Sequence, residues 1–168
     1  MGNSQRVKFT LGAMAMICAF LLACATTSSA APAAFWALEN SHSHLCLGVS
    51  GSSTAISAPV IQWSCDSGSE QQWNFVAGSG LDQYTLHNGN SGQCLAIGSS
   101  STTVGAKAIQ YPCNGLRDQL WKYNQINQLI NVNSGLCLAI PGSSTSNGTR
   151  AVQWTCQNAN ADQQWGSI

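Results

Sequence analysis

Charged side chains are nearly missing from this 168-residue chain: six Lys or Arg and six Asp or Glu make up 7% of it. Past residue 33 the only bases are Lys107, Arg117, Lys122 and Arg150, set against Glu39, Asp66, Glu70, Asp82, Asp118 and Asp162. A nucleic-acid backbone needs clustered Lys and Arg, so nucleic acid is not an expected partner. The carboxylates are scattered rather than paired, and His42, His44 and His87 have no third ligand at a metal-binding spacing. No catalytic group, metal or cofactor is expected, and the chain does not read as an enzyme. Helical periodicity is lacking too. No window of helix length carries an apolar stripe, and Gly and Ser interrupt every candidate, which leaves an all-β fold.

What the chain does have is a signature written three times. Two cysteines lie nineteen positions apart and are followed by Gln and Trp: Cys46 and Cys65 before Gln71 and Trp73, Cys94 and Cys113 before Gln119 and Trp121, Cys137 and Cys156 before Gln163 and Trp165. A unit of 43 to 48 residues is too small to bury a good core alone, so three units should share one. Six cysteines allow fifteen pairings in principle. Threefold repetition favours the pairing that is the same in every unit: Cys46–Cys65, Cys94–Cys113 and Cys137–Cys156. Each bridge closes a loop of about 20 residues and contributes about 2–4 kcal/mol if unstrained.

Residues 1–33 read as a secretory signal. Arg6 and Lys8 begin it, Phe9 to Ala25 is uncharged and mostly apolar, and Ser28-Ser29-Ala30 or Ala31-Pro32-Ala33 offers a cleavage site. An extracellular, secreted protein is expected, in keeping with paired cysteines. The alternative is a lipid-anchored protein, because Leu21-Leu22-Ala23-Cys24 also resembles a lipoprotein signal with Cys24 as the acylated residue. Asn147-Gly148-Thr149 is a glycosylation sequon.

Within each unit a short strand holds the first cysteine: Leu45 to Val49, Gln93 to Ile97 and Leu136 to Ile140. A surface loop of Gly, Ser and Thr follows, and then a second strand: Val60 to Cys65, Ala108 to Cys113 and Ala151 to Cys156. Its period of two sets Ile61, Trp63 and Cys65 on one side and Gln62 on the other. About four strands per unit, in three units of residues 36–79, 80–124 and 125–168, describe a β-trefoil spanning 34–168. Propeller blades usually number four or more, and a sandwich does not explain three copies of one signature. The interval Trp73 to Cys94 is 21 residues against 16 for Trp121 to Cys137, which predicts a longer connection near Ala77 to Asp82.

The combination Gly-x-Cys-Leu-x-Ile, Gly/Ser-rich loop, Gln-Trp-x-Cys and Asp-Gln-x-Trp resembles the ricin-type β-trefoil lectins, also classed as family 13 carbohydrate-binding modules. The resemblance covers residues 36–168 and rests on three copies in register. It implies a non-catalytic module that binds galactose- or xylose-containing glycans at up to one shallow site per repeat. By the same resemblance, Gln71, Trp73, Gln119, Trp121, Gln163 and Trp165 belong to the core, with the indoles packed on one another and the glutamines bonded to nearby backbone.

The sites implied pair an aromatic platform with an acidic residue: Trp154 with Asp162 as the most complete pair, then Tyr111 with Asp118, then Trp63 with Glu70. The chain departs from the family where sugar-binding repeats carry aspartate after Cys-Leu. Gly48, Ala96 and Ala139 stand there, so the main hydroxyl acceptor is missing from all three repeats. Two functions follow. One is a monomeric lectin-like domain for glycans or polysaccharide. The other is a secreted β-trefoil module that has lost sugar binding and acts on a protein partner, as an inhibitor or accessory.

Overall fold

The computed structural model describes residues 34–168; the expected signal segment and Cys24 lie outside them. Twelve strands run through this part: β1 Phe35–Asn40, β2 Cys46–Val49, β3 Val60–Trp63, β4 Gln72–Ala77, β5 Gln83–Asn88, β6 Cys94–Ile97, β7 Ala108–Tyr111, β8 Trp121–Tyr123, β9 Leu129–Asn131, β10 Cys137–Ala139, β11 Val152–Trp154 and β12 Trp165–Ser167. All pairings are antiparallel. The run β12, β1, β4, β5, β8, β9 forms a barrel, and Trp165 N–H donating to the Asn127 carbonyl (2.8 Å) ties β12 back toward β9. The hairpins β2–β3, β6–β7 and β10–β11 form a cap. They meet through the bridges Pro59 to Ile109, Ile61 to Arg150 and Lys107 to Val152, which relate the three repeats by a pseudo-threefold arrangement. This is a β-trefoil with the three expected disulfides.

The core takes equivalent residues from every repeat: Leu47, Leu95 and Leu138; Val49, Ile97 and Ile140; Val60, Ala108 and Ala151; and Trp73, Trp121 and Trp165. Each indole N–H donates to the carbonyl of the residue that follows the first cysteine of its own repeat: Leu47, Leu95 or Leu138, at 2.8–3.1 Å. That bond holds each ring along its own repeat. All three indoles are fully buried in the one core cluster, and among the described residues the close ring pairs are Phe75 with Tyr84 and Phe75 with Tyr123. The expected long connection near Ala77 to Asp82 is corrected. Both barrel hairpins close through five residues, 78–82 and 124–128, while β4 and β5 have six residues each and β8 and β9 have three. The extra chain extends strands instead of a loop, where it adds ladder hydrogen bonds from Trp73–Asn88 out to Ala77–Tyr84.

Gln71, Gln119 and Gln163 are buried. Their side-chain amides donate to the carbonyls of Ser64, Pro112 and Thr155 and accept from the backbone N–H of Asp66, Asn114 and Gln157. They pin the segment after each second cysteine.

Candidate functional site

The second strand of each repeat turns an aromatic outward and a glutamine inward. Trp63, Tyr111 and Trp154 are 45%, 39% and 43% exposed, whereas Gln62, Gln110 and Gln153 are fully buried. Each inward glutamine accepts from a serine hydroxyl of its own repeat (Ser43, Ser91 or Ser134, 2.7 Å). Each donates twice to the polar loop of a neighbouring repeat: Gln62 to Ser144 and Ser146, Gln110 to Ser53 and Ala55, Gln153 to Ser101 and Thr103. The Gly/Ser loops are therefore held at the next repeat's aromatic. A Cβ on Gly148 would lie 3.6 Å from the Trp63 ring, and one on Gly105 3.6 Å from the Trp154 ring. Ser57 is their counterpart beside Tyr111, its N–H bonded to the Gln110 carbonyl as those of Gly105 and Gly148 are to Gln153 and Gln62.

In the first repeat the outward face is a pocket of about 350 Å³ whose walls include Trp63, Ile61, Gly48, Asp66 and Glu70. In the second it is a pocket of about 280 Å³ walled by Tyr111, Ile109, Ser57, Asn114, Leu116 and Asp118. So the aromatic and the acid expected to act together do share a pocket in these two repeats. In the third, β10–β11 pairing sets Trp154 opposite Cys137 as Tyr111 is set opposite Cys94, and Asp162 occupies the same short 3-10 turn as Asp118.

The absent aspartate has different structural meanings. Ala96 and Ala139 already carry a Cβ, but a Cβ on Gly48 would meet Gln71 Cγ at 2.9 Å, so the first pocket owes its depth to glycine. The acids differ as well. Glu70 is half-buried, whereas Asp118 and Asp162 are only 7% and 8% exposed. Their Oδ1 atoms are sealed and have no hydrogen-bond partner among the described residues. Buried polar atoms are nearly always bonded, so a partnerless Oδ1 at two equivalent turns is an exception within this frame. Burial was not legible in the sequence, since the turn residues are polar and read as solvated.

His44 is exposed and bonds Glu39 (2.8 Å) outside these pockets. His87 lies across the strand pair from Cys94, 3.6 Å from Cys113 Sγ, and burial lowers its pKa. Both sulfurs are in the disulfide, so His87, Cys94 and Cys113 present no thiolate to a metal.

The comparisons agree with this geometry. The family model for the ricin-type beta-trefoil lectin domain matches residues 34–165. A designed threefold-symmetric protein, ThreeFoil, is 33% identical with a TM-score of 0.77, over 80% of this chain and 97% of that one. An exo-beta-1,3-galactanase from Clostridium thermocellum is 27% identical with a TM-score of 0.75, over 80% of this chain and 30% of the galactanase. The C-half of an earthworm R-type lectin, solved with GalNAc, shares the fold at 14% identity and a TM-score of 0.63, over 79% and 96% of the two chains. No curated protein sequence matches significantly. The threefold core, the repeated disulfide and the matched span together make this chain a member of the ricin-type β-trefoil lectin domains, a family of non-catalytic carbohydrate-binding modules.

Proposed function

We propose that the chain is an extracellular lectin-like domain that takes galactose- or xylose-containing glycans on its outward pockets. Trp63, Tyr111 and Trp154 are the platforms for the apolar face of a sugar ring, and Glu70, Asp118 and Asp162 accept bonds from its hydroxyls. The observation that carries this reading is the pairing of a half-exposed aromatic with an acid in one concave surface, seen with Trp63 and Glu70 and again with Tyr111 and Asp118. Core packing does not require an indole at the surface, whereas sugar stacking does. The three disulfides support an oxidising compartment and so a secreted protein.

Loss of the strand aspartate removes a charge-assisted bond of roughly 1.5–3 kcal/mol, so single sites should be weak. Three sites on one body compensate through avidity on a polymer. The same loss supports a second reading, a module that binds a protein partner through its polar loops. A multivalent glycan-array screen of the disulfide-intact protein separates them. Retention that free sugar competes away, and that falls when Trp63, Tyr111 and Trp154 are all changed to Ala, supports the lectin; silence from folded protein refutes it in favour of the second reading.

A further inference from the structure

The second pocket holds a carboxylate that a neutral sugar leaves without an opposite charge. Asp118 lines the Tyr111 pocket, and its carboxylate accepts no hydrogen bond and meets no base among the described residues; Asp162 is in the same condition. One oxygen of each is sealed within the protein. With each residue less than a tenth exposed, compensation can reach it only through the small surface left to solvent.

The bases nearby are directed elsewhere. Arg117, next to Asp118 in the chain, donates from Nη2 to the Val132 carbonyl (2.9 Å) and lines a separate pocket with Lys122. Arg150 donates from Nε to the Ala108 carbonyl. Asn114, whose side-chain oxygen accepts the Leu116 N–H (2.9 Å), makes no hydrogen bond to Asp118. What remains at the pocket is a carboxylate, an aromatic ring and small hydroxyls. A hydroxyl of a neutral hexose offers one donor to this carboxylate. An ammonium offers up to three donors and the opposite charge, and its approach over the Tyr111 ring is favourable as well.

We infer that the ligand preferred at the Tyr111–Asp118 pocket, and at Trp154 with Asp162, is a protonated 2-amino-2-deoxyhexose or a polymer of it, its ring on the aromatic and its ammonium against the aspartate. This rests on the carbohydrate-binding reading above and narrows it to a cationic class.

Titration of methyl glycosides of galactosamine and glucosamine, beside their N-acetylated and parent hexose forms, tests this by ligand-observed NMR at pH 6 and again at pH 9.5, above the usual range of about 8 for an α-amino group. The amines should bind about tenfold tighter than the neutral forms at pH 6, a preference equivalent to one decade in Kd. The preference should vanish at pH 9.5, and the ratio should collapse toward one in the Asp118→Asn, Asp162→Asn double variant. The pH arm on the unaltered protein keeps the test decisive if that variant folds poorly. Equal binding of amine and neutral sugars overturns the inference and leaves the lectin reading standing, as does an amine preference that survives both substitutions or high pH. Failure of every sugar to bind, on the array and in titration, removes both.

Discussion

Gln110 and Tyr111 are neighbours on one strand and belong to two different regimes. On the inner side, the repeats are nearly copies: the same glutamine, the same serine partner and the same pair of loop carbonyls recur three times. On the outer side no two repeats agree: Trp63 with Glu70 and Gly48, Tyr111 with Asp118 and Ala96, Trp154 with Asp162 and Ala139. Buried groups answer to one another, so a change in one strands its partners. Residues that line the outward faces answer to whatever binds there, and these faces can diverge without disturbing the frame.

The sharpest way to break this comparison is to truncate an indole on each side. Trp121→Ala empties a fully buried site and removes the bond to Leu95; a loss of about 3–5 kcal/mol is expected in urea unfolding. Trp154→Ala should cost within about 1 kcal/mol, as for other surface changes, and reduce glycan retention. Next is Gln110→Leu, close in size but unable to bond Ser53, Ala55 and Ser91. About 1–3 kcal/mol should be lost, since two part-buried carbonyls and the Ser91 hydroxyl lose their partner, with amide exchange rising in the 50–57 loop of the neighbouring repeat.

Gly48→Ala probes the one outer position where frame and pocket touch. The added methyl must displace the bonded Gln71, so about 1–3 kcal/mol of stability should go, and the first pocket should lose its ligand. The smallest effect concerns Tyr123, whose hydroxyl donates to the Trp165 carbonyl (2.6 Å) and whose pKa burial raises above 10.0. The folded state holds this proton more tightly than the unfolded one, so stability is full below pH 10 and declines as pH rises through the folded pKa. Tyr123→Phe should flatten that alkaline decline in a melting-temperature series.

Much of the frame was legible because it is periodic. Cysteine spacing indicated the disulfides, and Gln-x-Trp in register indicated the core, since the same local pattern cannot occur three times without three equivalent environments. The burial of Gln62, Gln110 and Gln153 was not legible. Strand alternation separates them from the aromatics, but nothing local says that the polar side faces inward, because the carbonyls they satisfy belong to another repeat 50 to 84 residues away. Likewise the interval from Trp73 to Cys94 counts residues without saying whether they lengthen a turn or a ladder. The pairing of aromatic with acid was anticipated from the family pattern, while the depth given by Gly48 and the seclusion of Asp118 and Asp162 depend on packing across elements.

The glutamine contacts run from the second repeat to the first, from the third to the second and from the first to the third, so the series returns to its start. A linear repeat array has terminal units with one neighbour, and those units fray first. Here every unit has two neighbours, and the interaction pattern among the described residues has no end. Local opening therefore has no preferred place to begin. The molecule behaves as a closed cycle of three equivalent links, and it should lose its structure in one step rather than peel from either end.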